Sequence, residues 1–249
     1  MSETASEIPG WAKGEHTADG VTHTTYRKGS GPGVVVISEI PGITENVVAF
    51  AEEVVALGCT VVLPHVFGPV PAPYTPLTAL NSMREACINK EFTKIRLKQT
   101  SPIADWMRSL ARELHDELGG PGVGALGMCF TGGFALAMMV DDSVVAPVLA
   151  QPSLPFPVTR ALAADVNLSP ADLERVKERA AAGCQVMGLR YTGDIAVGTR
   201  FDTLTRELGD AFIRVEFPGR KHSTLTEHRQ QEGVDRVLEF FREKLLTAS

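Results

Sequence analysis

The sequence predicts an α/β fold, a mostly parallel central sheet with helices on both faces. Short apolar runs rich in β-branched residues, such as "GVVVIS" (33–38) and "CTVVLP" (59–64), suit strands buried on both faces. Longer segments with helical periodicity separate such runs. The two kinds alternate along the chain with no internal repeat and no low-complexity linker, which is the pattern of a parallel sheet built from crossover units.

In chain order, residues 1–20 read as a polar N-terminal segment preceding one domain over 21–249. "VTHTTYRKG" (21–29) alternates and is polar, as an edge strand would be. "GVVVIS" follows as a buried strand, and "ENVVAFAEEVVALG" (45–58) as a helix ending at Gly58. "CTVVLP" is the next buried strand. Residues 68–100 begin Pro-rich and end basic and polar, so they read as an excursion over one end of the sheet. "SPIADWMRSLARELHDEL" (101–118) is a helix with a Ser N-cap and Pro at its first position. Then come a strand at 122–127, a helix at 131–141 and a strand at 144–149. "LSPADLERVKERAAAG" (168–183) is a helix with the same Ser-Pro start. "CQVMGLRYTG" (184–193) is a strand, 199–208 a helix, "AFIRVEFPG" (211–219) a strand, and a last helix begins near Glu227.

The 249 residues carry 30 acidic and 24 basic side chains, a net charge of −6, and no basic stripe, which argues against a nucleic-acid partner. No stretch approaches the ~20 apolar residues of a membrane-spanning helix. The N-terminus has no signal-peptide core, so a cytoplasmic protein is expected. The four cysteines form no CxxC pair and have no histidine at zinc-finger spacing. Cys59 and Cys184 each begin a buried strand and read as small core residues. Cys87 lies in a polar segment and has no assigned role.

Ligands of open α/β sheets bind at the carboxyl ends of the strands. Cys129, in "GALGMCFTGG" (124–133), sits there, between a strand and a helix. A sharp strand-turn-helix with small flanking residues makes a nucleophile project clear of the backbone. The helix N-terminus adds N–H groups and a positive dipole end, which favour a thiolate and an oxyanion. A cysteine nucleophile needs a base, and the base an orienting acid. In hydrolases of this architecture the chain order is nucleophile, acid, histidine. Downstream lie two histidines: His222 in "FPGRKHST", past the last strand, and His228 at the start of the final helix. Asp194 in "YTGD" follows a strand in a Gly-Asp turn, whereas Asp202 lies inside a helix and Asp210 at the wrong end of a strand. Cys129, Asp194 and His222 therefore fall on one edge of one sheet.

Along nearly its whole length the chain resembles the dienelactone hydrolase family of α/β-hydrolases. The resemblance is carried by "VVVISEIPGI", "GCTVVLPHVFG", "GALGMCFTGG", "YTGD" and "GRKHS". It implies hydrolysis of a carboxylic ester or lactone through a thioester on Cys129, with no metal and no organic cofactor. It also implies that Glu39 in "SEIPG" contacts the resting thiol, and that the backbone N–H groups of Ile40 and Phe130 form the oxyanion hole. Two features depart from the family. Thr131 stands where the family has glycine, close to where helix and strand backbones meet, and Gly132 and Gly133 are expected to make room for it. The arginine that follows the histidine in dienelactone-specific members is replaced by Ser223, Thr224, Leu225 and Thr226, and Arg229 comes a turn too late. Arg84 and Arg96 in the excursion are the candidate substitutes for binding substrate, so dienelactone itself is not carried over. The excursion and the Pro-rich segment 146–159 are expected to wall a pocket for a small, partly apolar acyl group.

Two rival readings remain: a non-catalytic α/β-hydrolase that binds a small ligand, and a thiol redox role for Cys129. All three residues of a triad are present, against the first. No resolving cysteine lies close in sequence, against the second.

Overall fold

A computed structural model describes residues 7–88 and 101–247. The described residues form an eight-stranded sheet: β1 (Ala12–Ala18), β2 (Val21–Gly29), β3 (Gly33–Ile37), β4 (Thr60–Pro64), β5 (Val123–Met128), β6 (Val144–Ala150), β7 (Val186–Tyr191) and β8 (Phe212–Phe217). Their spatial order is β1-β2-β4-β3-β5-β6-β7-β8. From β4 to β8 all neighbours are parallel, and β2 pairs antiparallel with both β1 and β4.

The helices are α1 (Glu45–Ala56), α2 (Pro76–Ile88), α3 (Pro102–Leu118), α4 (Gly132–Met138), α5 (Arg160–Ala164), α6 (Pro170–Ala181), α7 (Arg200–Leu208) and α8 (Gln231–Phe241). Every residue of β3, β4 and β5 is buried, because each central strand has helices on both sides. Alternation along β3 separates two cores. Val34 and Val36 pack with α1 and α8, while Val35 and Ile37 pack with α3, α4, α6 and α7. Helix starts are chemically marked. Thr44 caps α1 by accepting from Val47 N at 3.2 Å, and Ser169 caps α6 by accepting from Asp172 N at 3.1 Å. The buried residues of α1, Val47, Phe50, Ala51 and Val54, follow the helical repeat. Among the described residues no helix is long and apolar enough to cross a membrane.

The architecture predicted from the sequence is the one present, with local differences. Residues 12–18, read as part of a polar segment outside the domain, form the outermost strand. Asp19 and Gly20 both have positive φ (51° and 77°) and close a two-residue hairpin onto β2. The strand is held by its one deeply buried residue, His16, whose ring meets Trp106 of α3 edge-on at 5.0 Å and whose Nδ1 lies 2.9 Å from Glu113. β2 is therefore not the edge. The last helix begins at Gln231 rather than near Glu227, because residues 224–228 form turns that face the sheet edge. The excursion carries helix α2, and a short helix, α5, follows the Pro-rich segment. Residues 89–100, Arg96 among them, lie outside the described residues.

Candidate active site

Four loops at the carboxyl ends of β3, β5, β7 and β8 converge. β5 ends at Met128, and Cys129 then takes φ 53°, a left-handed conformation that side chains rarely adopt. A three-residue 3₁₀ turn over 129–131 leads into α4. Turning this sharply brings backbones together. A Cβ on Gly127 would come within 2.2 Å of the Thr131 carbonyl oxygen, and one on Gly132 within 2.6 Å of Pro152 Cα. These two positions, not the one at Thr131, require glycine. Thr131 needs no extra room, because its side chain fills a buried polar niche between β3 and β5. Its Oγ1 accepts from Met128 N at 3.0 Å and shares its proton among the carbonyls of Ile37, Ser38 and Met128 at 3.0–3.2 Å. The threonine thus ties the turn carrying Cys129 to the end of the strand carrying Glu39.

Thr131→Val keeps the shape and removes that hydroxyl, leaving the Met128 N–H buried without its acceptor. It is expected to lower stability by ~1–3 kcal/mol, with Thr131→Ser close to wild type. Urea unfolding of the two variants measures this, and equal midpoints for Val and Ser would refute the role given to the hydroxyl.

Asp194 follows β7 in a turn closed by Asp194 N donating to Tyr191 O at 3.1 Å. Its Oδ1 accepts from Ala196 N at 3.0 Å, and its Oδ2 accepts from His222 Nδ1 at 2.6 Å. That leaves Nε2 of His222 for Cys129, whose sulfur lies within 4.8 Å of a His222 nitrogen. Burial would lower the His222 pKa. The hydrogen bonds to Asp194 and Cys129, with the negative charges behind them, outweigh it and hold the ring well above the usual imidazole range. Cys129 Sγ also lies 3.4 Å from the hydroxyl of Ser153, just past β6.

Glu39 is buried, and its carboxylate, the Cys129 sulfur and a His222 nitrogen lie within 4.8 Å of one another. Three donors surround the carboxylate: Thr226 Oγ1 on Oε1, Ser223 Oγ on Oε2 at 2.7 Å, and Gln151 Nε2 on Oε2 at 3.5 Å. The Gln151 amide is fixed by Thr224, whose N and Oγ1 donate to Gln151 Oε1 at 3.1 and 2.7 Å. Burial pushes the Glu39 carboxyl up, while Thr226, Ser223 and His222 pull it down; the net shift is upward. The turn over 224–228 is pinned from below, where Tyr191 Oη donates to His228 O at 2.5 Å.

The structure thus brings together Cys129, Asp194, His222 and Glu39, with the backbone of Ile40 directly after Glu39 and that of Phe130 directly after Cys129. Arg84 is exposed on α2. Arg229 is engaged elsewhere, donating to Glu53 Oε2 at 2.8 Å, and Asp202 pairs with Arg214 at 3.4 Å. Sequence reading missed Gln151, Ser153 and the supporting roles of Ser223, Thr224 and Thr226. A run of hydroxyl residues directly after the histidine is the available signal, since small polar side chains there can face only the sheet edge or solvent.

One further residue binds two loops of the site together. Arg200, at the start of α7, is 1% exposed. Its guanidinium donates to the carbonyls of Leu154, Pro155 and Leu162 on the segment after β6, and of Ala196 and Val197 beside Asp194. Burial pulls its pKa down to about 10, against the charge of Asp165.

A model of the dienelactone hydrolase family matches residues 19–169. No curated protein matches the chain in sequence. Among solved structures, the fold is similar to dienelactone hydrolase from Anabaena variabilis, at 15% identity and TM-score 0.65, covering 94% of this chain and 98% of that one. It is also similar to a cold-adapted esterase from an Arctic intertidal metagenomic library, at 17% identity and TM-score 0.64, covering 94% and 93%. A third is a dienelactone-hydrolase-like promiscuous phosphotriesterase from metagenomic libraries, at 16% identity and TM-score 0.63, covering 94% and 98%. With its eight-stranded α/β-hydrolase sheet and a family match over more than half its length, the chain belongs to the dienelactone hydrolase family.

Proposed function

We propose that the protein hydrolyses carboxylic esters or lactones, with Cys129 as nucleophile, His222 as base and Asp194 as its orienter. The observation that carries this reading is the line from the Cys129 sulfur, within 4.8 Å of a His222 nitrogen, through His222 Nδ1 to Asp194 at 2.6 Å, at a turn where Cys129 has φ 53°. The sulfur attacks the ester carbonyl, and the N–H groups of Ile40 and Phe130 receive the oxyanion. As the tetrahedral species collapses, the C–O bond breaks and His222 gives its proton to the departing alkoxide. A water then attacks the thioester with His222 taking its proton, and the acid leaves as the thiol is restored. The names of the similar structures, a dienelactone hydrolase and an esterase among them, support the same class.

The aromatic side chains beside Cys129 favour a small, partly apolar acyl group. Phe130 packs against Phe67 and Phe156, with ring centroids 5.9 and 6.5 Å apart. Tyr74 lines a cavity with Thr44, Ala72 and Glu227. Among the described residues no lysine or arginine hydrogen-bonds to Glu39, Cys129 or His222. The described thiols, Cys59, Cys129 and Cys184, are free, which suits a reducing, cytoplasmic setting. Turnover of p-nitrophenyl acetate, with an acetyl thioester trapped on the Cys129 peptide by acid quench and mass spectrometry, tests the reading. Ligand-induced melting shifts with no turnover of any short-chain ester would favour a binding protein instead.

Glu39 acts on the resting thiol through charge. Its carboxylate opposes thiolate formation beside it, while the helix end and His222 favour it. Glu39→Gln keeps the shape and removes the charge. The variant thiol is expected to react faster with iodoacetamide at neutral pH, since the thiolate is the reactive species. Superimposable rate–pH curves for the two proteins would show that Glu39 does not act on the sulfur.

A further inference from the structure

The cluster at the sheet edge has a second chemistry. A thiol sulfur, an imidazole nitrogen and a carboxylate oxygen, all within 4.8 Å of one another, are the donor types of a zinc site with three protein ligands. We propose that Cys129, His222 and Glu39 form an inhibitory site for a thiophilic divalent cation, with zinc the ion that fits the donor set.

Each ligand is already held as a metal ligand is held. Metal-bound histidines give their other ring nitrogen to a carboxylate, and His222 Nδ1 is taken by Asp194 at 2.6 Å, which presents Nε2 to the site. Bound carboxylates are themselves hydrogen-bonded, and Glu39 is fixed by Thr226, Ser223 and Gln151. Those donors fall unequally. Among the described residues Oε2 accepts from Ser223 and Gln151 and Oε1 from Thr226, which leaves Oε1 a lone pair for a cation. Ser153, 3.4 Å from the sulfur, can donate to a bound thiolate.

Charge points the same way. A dication in the cluster meets acidic donors on two sides, the Cys129 thiol and the Glu39 carboxyl, with the Asp194 carboxylate behind His222. A tetrahedral ion with bonds of ~2.0–2.3 Å holds its donors about 3.3–3.6 Å apart, so the three would close by up to about 1.5 Å. The fourth position stays open to water. The ion would be an inhibitor and not a cofactor, because it occupies the sulfur lone pair and the Nε2 that ester hydrolysis requires.

Binding rather than turnover provides the test, so the outcome is independent of whether the ester reading holds. The untagged, fully reduced chain is titrated with zinc chloride by calorimetry and, in parallel, with cobalt(II) in the near ultraviolet. The expected result is one tight site per chain, a thiolate-to-cobalt charge-transfer band, and protection of Cys129 from iodoacetamide that a chelator reverses. Cys129→Ser should abolish the band. Asp194→Asn, which disturbs only the support of the histidine, should weaken zinc ~10–100-fold, and Glu39→Gln should weaken it at least as much. Circular dichroism establishes that the variants are folded. The proposal is overturned by the absence of a tight site, by a band that survives Cys129→Ser, or by Glu39→Gln binding zinc as wild type does.

Discussion

Replacing Cys129 with alanine is expected to lower ester hydrolysis by ~10⁴-fold or more, to near the background rate. Stability should change by no more than ~1 kcal/mol. The two parts of this expectation have separate causes. On the proposed mechanism activity is lost because no thioester can form. The fold is kept because the strained φ of 53° is already borne by a residue with a Cβ, so alanine adds no new backbone penalty. The close approaches at Gly127 and Gly132 are also untouched. Cys129→Ser should retain slight turnover, since a hydroxyl is far harder to ionise than a thiol in the same surroundings. Initial rates with p-nitrophenyl acetate, with melting curves alongside, measure both parts. An alanine variant as active as wild type would remove Cys129 from the mechanism.

The second large effect is on the base and its orienter. His222→Ala and Asp194→Asn should each reduce kcat by ~10³-fold or more. Asparagine would present an amide N–H to Nδ1, favouring the tautomer with its proton on Nε2, the wrong nitrogen to accept from the thiol. The double variant should be scarcely worse than the worse single one, because the residues act as a unit. Asp202→Asn is the control. Asp202 pairs with Arg214 away from the cluster, and its loss should leave kcat unchanged. A crippled Asp202 variant beside a healthy Asp194 variant would mean the acid is the wrong one.

The parts of this site that were legible in the sequence are those fixed by local rules. A strand ending in small residues before an apolar helix calls for the turn at Cys129. The order of the chemical residues follows from which strands end where, and Glu39 came from the family resemblance. What escaped notice was held by contacts distant in sequence. Gln151 has meaning only through Thr224 and Glu39, 73 and 112 residues away. Thr131 reads as a steric intruder until the carbonyls of Ile37 and Ser38 are seen above it. The hairpin of β1 is a different case. Asp19-Gly20 is a strong local turn signal, but the strand before it is polar on both faces and so shows no hydrophobic alternation.

Arg200 makes the site lopsided in what it can tolerate. One guanidinium fastens the wall after β6 to the loop bearing Asp194, so neither can shift to accept a bulkier acyl group without displacing the other and the acid with it. The α2 side is tied more lightly, by Ser82 Oγ donating to Pro41 O and by Gly68 N donating to Glu85. Tyr74 and, beyond it, Leu77 and Leu80 of α2 are more than half exposed. Divergence toward new substrates within this architecture would therefore accumulate on the α2 side, with the Arg200 side retained as the fixed jaw against which the new shapes are measured.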